Sequence, residues 1–195
     1  MIVSIYTEAT PNPNTLKFVA NRMIFADGSI ELKSKTEAKG VLLAEALFDE
    51  FPFINNVFIA KNFVTLTKSV EDEWFEISLP VKDLIKTWLQ DGKAVFADDF
   101  ELPKKPEPKL DVEVEEGDIE GKIQAILEKY VRPGVQQDGG NIVFKTFDEE
   151  SGVVDLEMQG ACSGCPSSSI TLKNGVETLL KQFIPEVKEV VSSNE

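Results

Sequence analysis

The chain has 195 residues, of which 42% are hydrophobic, and a formal net charge of −14. This length and apolar fraction are sufficient for a packed core in one large domain or two small ones. The excess of acidic residues argues against nucleic acid and anionic membrane surfaces as partners. The complete lack of histidine excludes Ser-His-Asp and Cys-His catalysis, and it leaves thiolate, carboxylate and backbone groups as metal ligands.

The first residues are predicted to be neither a secretory signal nor a transit peptide, and no apolar run in the chain reaches the length of a membrane span. The sequence MIVSIYTEAT has neither a basic segment followed by an apolar one nor an Arg-rich amphipathic stretch. We therefore expect a cytoplasmic protein, although a processed organellar form would have the same features. In a reducing cytosol a CxxC pair is more typical of redox or metal chemistry than of a structural disulfide.

Residues 1–97 are predicted to form a small α+β domain, which begins with two strands and a helix. IVSIY and TLKFVA have the composition of strands. The prolines and asparagines between them favour a turn, in which we interpret Asn12 and Asn14 as turn residues. In EAKGVLLAEALFDEF the apolar residues recur at helical spacing, and Pro52 ends the predicted helix.

The remainder of this domain is predicted to contain a hairpin and a last helix. VFIA and FVTLT are two β-rich runs around Lys61 and Asn62, which is typical of a hairpin. Pro80 suits the first turn of a helix, so we predict that VKDLIKTWLQ forms a helix that ends near Gly92. Trp74 and Trp88 are interpreted as core residues, and this domain shows no obvious reactive site.

Residues 98–116 are predicted to be an acidic linker. Residues 98–118 contain 9 Asp/Glu against 3 Lys/Arg, with prolines at positions 103, 106 and 108 and few groups that could pack. Such composition is typical of a semi-rigid, solvated tether. A short strand within LDVEV is the alternative. The expected fold class is therefore α+β, with two small mixed domains joined by a Pro-containing linker.

Residues 117–195 are predicted to form the second domain. IEGKIQAILEKYV is predicted to be a helix that ends at the Pro133-Gly134 pair. Residues 138–141 are predicted to form a turn. NIVFKTF and VVDLEMQ are predicted strands, with Glu149 and Glu150 in the solvated turn between them. SSSITLKNGVETLLKQF is a predicted helix that Pro185 ends, and VKEVV is a last short strand. The residues expected on one side of that helix are Ile170, Val176, Leu179, Leu180 and Phe183.

The chain has only two cysteines, Cys162 and Cys165, in the loop GACSGCPSSS between a predicted strand and a predicted helix. A helix N-terminus favours thiolate over thiol. Gly164 allows the loop to curl so that both sulfurs face one point, and Gly160 allows close backbone approach before the first cysteine. These features favour a reactive or metal-ligating pair over two buried apolar groups.

Two thiolates provide only half of a soft-metal site. Iron–sulfur clusters take four protein thiolates and tetrahedral zinc takes four ligands. If the site binds metal, the simplest completion is a second copy of the chain, which would place CxxC against CxxC in a two-fold dimer. A dithiol oxidoreductase that uses one chain, and a zinc-bridged structural module, are the alternatives that the spacing alone leaves open.

The sequence GACSGCPSSSITLKNGVETLLKQFIPEV resembles the C-terminal domain of NifU-like (Nfu-type) iron–sulfur cluster scaffold proteins. The preceding RPGVQQDGGNIVF fits the same domain, with Asn141 where the family commonly has Asp. TPNPNTLKF similarly resembles the signature of the N-terminal domain of many Nfu proteins. Together the two resemblances cover most of the chain outside the acidic linker.

The resemblance implies a scaffold or carrier and not an enzyme. By position, Cys162 and Cys165 would ligate a [4Fe-4S] cluster, or a [2Fe-2S] cluster, shared between the two subunits of a homodimer. The family implies that cluster-assembly machinery donates the cluster and that apo iron–sulfur proteins receive it. In the family the N-terminal domain is thought to help recognise partners.

Overall fold

The computed structural model describes residues 2–69, 73–100, 118–163 and 166–193, without the side chains of residue 27 and of residues 166–170. The chain divides into two compact units, Met1–Lys104 and Lys105–Glu195. Each unit contains both helices and a sheet, so the predicted α+β class is confirmed. Most of the predicted acidic linker lies outside the described residues, and the boundaries of the predicted domains stay predictions.

The first unit contains a five-stranded antiparallel sheet with strand order β1-β2-β5-β4-β3. Its helices, α1 and α2, both contribute buried side chains to the same apolar cluster as alternate residues of the strands. The elements in chain order are β1 (Ile5–Ala9), β2 (Thr15–Ala20), β3 (Phe25–Leu32), α1 (Leu42–Glu50), β4 (Ile54–Lys61), β5 (Phe63–Lys68) and α2 (Trp74–Gln90).

The two predicted turns of this unit are confirmed. Between β1 and β2, the Asn12 side-chain oxygen accepts a hydrogen bond from the Asn14 amide at 3.0 Å, and its carbonyl accepts one from the Thr15 amide. Asn12 is 5% exposed, and its side chain stabilises the turn through the hydrogen bond with Asn14. Between β4 and β5, Lys61 adopts a φ of 46° and Asn62 donates to the carbonyl of Ala20 on β2.

The predicted start of the last helix at Pro80 is wrong, because α2 begins at Trp74 and contains Pro80 in its interior. Trp74, Val81, Ile85 and Leu89 are buried along one face of this helix. An interior proline costs about 3 kcal/mol, whereas burial of each large apolar side chain contributes about 1.5–3 kcal/mol. Burial of the face therefore outweighs the missing hydrogen bond. The predicted end near Gly92, which has a φ of 69°, is confirmed.

The second unit combines α-helices and a π-helical turn with a three-stranded sheet of order β6-β7-β8, in which β6 and β7 are antiparallel and β7 and β8 parallel. Ile123, Leu156 and Leu180 are fully buried in its core. The elements in chain order are α3 (Ile119–Ile126), a π-helical turn (Leu127–Val131), α4 (Arg132–Gln137), β6 (Gly140–Asp148), β7 (Val153–Gly160), α5 (Pro166–Phe183) and β8 (Glu189–Ser192).

The predicted helix stop at Pro133-Gly134 is wrong, because helical structure continues to Gln137. The turn before the proline widens, and the Arg132 amide donates to the carbonyl of Leu127, five residues earlier. Pro133 has no N–H to donate and lies at the start of α4, where a missing donor is tolerated. Helical structure thus continues through the proline, because a π-helical turn precedes it and the first turn of α4 contains it.

The predicted apolar side of α5 is correct for Val176 and Leu180, which are 2% and 0% exposed, but wrong for Phe183, which is 53% exposed. The Phe183 ring instead stacks on that of Tyr130, with ring centroids 5.7 Å apart. The side chain of Ile170 lies outside the described residues. No described helix combines the length and apolar character needed to cross a membrane.

Replacement of Gly175 by alanine is expected to stabilise the second unit. Gly175 lies in the interior of α5, is exposed, and a methyl group there would have no atom within 4 Å. A helix-interior Gly→Ala change contributes about 0.5–1 kcal/mol, because glycine loses more conformational entropy on folding. Urea unfolding followed by far-UV circular dichroism would measure the shift, and an unchanged or lower midpoint would contradict it.

Candidate functional site

Cys162 lies in a tight turn directly after β7. Gly160, the last residue of that strand, has a φ of 64°, and its carbonyl accepts a hydrogen bond from the Ser163 amide at 3.0 Å. The Ala161 amide donates to the carbonyl of Gly139 at 3.2 Å, which ties the turn to the end of the preceding helix. Cys162 is 8% exposed and belongs to the apolar core of the second unit.

Gly140 makes room for the sulfur of Cys162. It begins β6 and pairs with Gly160 across the β6–β7 ladder. A Cβ on Gly140 would lie 2.7 Å from Cys162 Sγ and 2.6 Å from the carbonyl oxygen of Gln159. Contacts that short essentially never occur for a real Cβ atom, so the sulfur packs over the bare Cα of a glycine.

The predicted turn over residues 138–141 is correct for Asp138 and Gly139, but Gly140 and Asn141 belong to strand β6. Gly139 has a φ of 81° and makes the turn between α4 and β6. Gly140 is a strand residue that the cysteine turn needs. A glycine beside a turn glycine, followed by a strand, is the signal that could have found it, because glycine inside a strand often marks close approach of another group.

Arg132 connects the start of β6 to the π-helical turn through two side-chain contacts. Its guanidinium forms an ion pair with Glu128 and donates to the carbonyl of Ile142 at 3.4 Å. Burial lowers the pKa of Arg132, but a guanidinium titrates so far above neutrality that it stays charged. This residue thereby holds β6 in register beside the cysteine turn.

A chain of polar side chains runs along β6 and β7 next to the turn. Asn141 pairs with Gln159 across the ladder and donates to its side-chain oxygen at 3.4 Å, and Gln159 donates to Glu157 at 3.1 Å. Glu157 forms an ion pair with Lys145. The residue at position 141, where the sequence departs from the family pattern, is therefore a strand residue, not a turn residue.

Cys165, Gly164 and the first side chains of α5 lie outside the described residues, so the predicted cysteine pair is described only at Cys162. α5 begins at Pro166, immediately after the second cysteine. The strand-turn-helix order predicted around the CxxC is therefore confirmed. The assignment of Cys162 and Cys165 as ligands stays a prediction.

The carboxylate of Glu177 ties α5 to the edge strand β8. One of its oxygens accepts from the Val190 amide at 3.1 Å, and the other forms an ion pair with Lys181. The hydrogen bond from Lys181, followed by that from the Val190 amide, lowers the pKa of Glu177. In the β6–β7 turn, bonds from Ser151 and then from the Glu150 amide similarly lower the pKa of Asp148.

Acid is expected to weaken the connection between α5 and β8. A carboxylate whose pKa is lower in the folded state contributes stability above its unfolded pKa, about 4.3 for glutamate. That contribution is lost as the pH falls through the folded pKa. The amide chemical shift of Val190 should titrate in this acidic range in the native protein and stay flat in Glu177→Gln.

A matched control for this titration is Glu150→Gln, which changes an exposed carboxylate in the β6–β7 turn. It should leave the Val190 titration as in the native protein. If Val190 titrates equally in Glu177→Gln, its amide does not depend on the Glu177 charge.

Two sequence families match the chain. The family described as "NifU-like domain" matches residues 123–191, which contain both cysteines. The family described as "Scaffold protein Nfu/NifU N terminal" matches residues 5–92. The two matches fall in separate compact units.

Three relatives align over nearly the whole chain. "NifU-like protein 4, mitochondrial" of Arabidopsis thaliana is 38% identical over 95% of the chain and 64% of its own length. A NifU-like protein of Schizosaccharomyces pombe is 35% identical over 96% of the chain and 71% of its own length. "NFU1 iron-sulfur cluster scaffold homolog, mitochondrial" of Drosophila erecta is 39% identical over 95% of the chain and 63% of its own length. The chain thus spans less than two thirds of the Arabidopsis and Drosophila relatives.

Proposed function

The chain belongs to the NifU-like (Nfu) protein family, and from that premise we propose that it is an iron–sulfur cluster scaffold and carrier. Cys162 and Cys165 of two chains hold the cluster, and the loaded protein transfers it to apo-proteins. The observation that carries the proposal is the NifU-like match over residues 123–191, which includes both cysteines of the chain. The name of the Drosophila relative, an iron–sulfur cluster scaffold homolog, supports the same role.

The number of ligands supports a cluster shared by two chains. Each chain has two cysteines and no histidine, whereas a cluster takes four thiolates. A two-fold axis beside the cysteine turns supplies four sulfurs, two from each chain. The cluster we propose is [4Fe-4S], with [2Fe-2S] as the alternative.

Transfer to a recipient is a series of ligand exchanges. A recipient thiol gives up its proton, its sulfur forms a bond to iron, and one Fe–S(Cys) bond breaks. The displaced cysteine takes up a proton, so the oxidation states of the cluster do not change. The chain contributes ligands and their placement, and no general base or nucleophile acts on a substrate, which is why we propose a carrier and not an enzyme.

The first unit, matched by the Nfu/NifU N-terminal family over residues 5–92, is proposed to help recognise the proteins that donate or receive the cluster. Nucleic acid and membrane are not among the proposed partners, in line with the net charge of −14. The cytoplasmic location stays a prediction. The names of the Arabidopsis and Drosophila relatives place those proteins in mitochondria.

Anaerobic reconstitution with iron and sulfide, followed by size exclusion with absorbance, iron, sulfide and zinc measured on each peak, tests this function. The expected product is a brown dimer with about four irons and four sulfides per two chains. A colourless, metal-free monomer with disulfide reductase activity would instead indicate a dithiol oxidoreductase. A colourless zinc-containing dimer that unfolds on chelation would indicate a structural zinc module.

Loss of either sulfur is expected to abolish cluster binding without unfolding the chain. Cys162→Ala and Cys165→Ala each leave a dimer with two thiolates where the cluster takes four. Reconstitution should then give about one tenth or less of the native iron and sulfide content. Ser163→Ala is the matched control, because it lies between the cysteines and keeps the amide that bonds to Gly160. A full cluster on either cysteine variant would contradict the assignment.

A further inference from the structure

We propose that the first unit contains a binding groove for a short peptide with two aromatic residues four positions apart, and that residues 94–100 of the chain itself fill this groove. We call these residues the strap. The strap follows α2, after the turn at Gly92, and forms neither helix nor strand. Groove and strap both lie in the first unit, so this inference goes beyond the proposed carrier function and does not depend on it.

The backbone of the strap is hydrogen-bonded to the groove as that of a bound peptide would be. The Ala97 amide donates to the carbonyl of Gly40 at 2.8 Å, and the carbonyl of Val95 accepts from the Leu43 amide at 3.4 Å. Leu43 lies in the first turn of α1, where the N-cap residue Val41 makes no side-chain hydrogen bond. Because the first amides of a helix have no partner within the helix, the strap supplies an acceptor that α1 lacks.

Two aromatic rings of the strap occupy the groove. Phe96 meets the ring of Phe25 edge to face with centroids 4.9 Å apart, and Phe100 stacks on Phe96 with centroids 5.6 Å apart. Gly40 has a φ of 88°, and a Cβ there would lie 2.7 Å from the Phe100 ring. The glycine therefore leaves open the space that the second ring fills.

The beginning of the strap is held by α2. The indole nitrogen of Trp88 donates to the carbonyl of Ala94 at 3.0 Å. Asp98 and Asp99, which lie between the two rings in sequence, are exposed. The groove thus recognises the backbone and the aromatic spacing, while the acidic side chains face solvent.

These contacts are of the kind by which proteins recognise extended peptides, since main-chain hydrogen bonds give affinity and places for particular side chains give specificity. The family match over residues 5–92 contains Phe25, Gly40, Leu43 and Trp88 and ends before the strap begins. The groove is therefore formed by the matched segment, and its occupant is not. A partner segment with the same aromatic spacing would compete with the strap, whose effective concentration as a tethered ligand is on the order of millimolar.

Peptide titration of the full chain tests this inference. The probe is a fluorescein-labelled peptide with the sequence of the strap, AVFADDF, and its anisotropy reports binding. It should bind Phe96→Ala/Phe100→Ala at least about tenfold more tightly than the native chain, in which the strap competes. Asp98→Asn/Asp99→Asn is the matched control and should behave like the native chain. A peptide with both phenylalanines replaced by alanine should not bind.

Equal affinity for the native chain and for a Phe96→Ala/Phe100→Ala chain with a native circular dichroism spectrum overturns the proposal. If that variant does not fold, the native chain decides. Excess peptide is added to isotope-labelled native chain, and the Ala97 amide signal should move to the position of an unstructured peptide, whereas Leu43 keeps a hydrogen-bonded shift. An Ala97 signal unchanged at about ten millimolar peptide would make the strap a fixed part of the unit and also overturn the proposal. Neither measurement uses iron, so failed reconstitution would count against the carrier function alone.

Discussion

Gly140→Ala is expected to destabilise the second unit and to impair cluster binding together. The added methyl would meet the carbonyl oxygen of Gln159 at 2.6 Å and Cys162 Sγ at 2.7 Å. The backbone oxygen belongs to the β6–β7 ladder and cannot rotate away, so β6 or the cysteine turn has to shift. Overpacking of this kind costs about 1–3 kcal/mol. Urea unfolding of the metal-free protein gives the change in free energy, and reconstitution gives the iron content.

Gly134→Ala is the matched control for this expectation. It introduces the same methyl group in the same unit, on α4, where no atom lies within 4 Å. The control should keep native iron content and unfold at the native midpoint or slightly above it. Native stability and native iron content in Gly140→Ala would mean that the sulfur does not pack against this strand as described.

The sequence predicted elements well where local chemistry and burial agree. The hairpin around Lys61 and Asn62 is one case, because two β-rich runs flank a two-residue loop and both runs are buried in the sheet. α1 is another, since its helical spacing and the following Pro52 point to the same end. In such segments the preference of the chain and the packing of the fold support one structure.

Sequence reasoning did not identify β3, because its local chemistry indicates a turn. The strand contains Asp27 and Gly28 in its middle, and the β3–β4 register shifts between Phe25 and Ser29. This irregularity in the pairing accommodates residues whose types favour a turn. The ring of Phe25 lies 3.3 Å from the place of a Gly28 Cβ. The close approach of that ring favours a residue without a side chain at position 28.

The sequence indicates two candidate ligands, which stay a prediction, but it does not indicate the residues that position Cys162. Two cysteines at CxxC spacing before a helix are visible in one sequence, and they led to the metal-ligating interpretation. Gly140 lies 22 positions before Cys162 in the chain, and only the pairing of Gly140 with Gly160 brings them together. The burial of Cys162 also depends on tertiary contacts that spacing does not encode.

Phe18→Ala is expected to have the largest effect on the first unit. Phe18 lies on the central part of the sheet, is 0% exposed, and meets the Trp74 ring edge to face with centroids 6.1 Å apart. Removing a buried phenyl group leaves a cavity and costs about 3–5 kcal/mol. Since total domain stabilities are about 5–15 kcal/mol, this variant should unfold at a much lower urea concentration.

Tryptophan fluorescence measures this unfolding selectively, because both tryptophans of the chain, Trp74 and Trp88, lie in the first unit. Trp74 is 8% exposed, so its emission should move to longer wavelength when the unit opens. Phe75→Ala is the matched control, since Phe75 is 79% exposed on the same helix as Trp74. Surface substitutions usually change stability by less than about 0.5 kcal/mol. A similar shift for both variants would mean that the sheet-facing core does not dominate the stability of this unit.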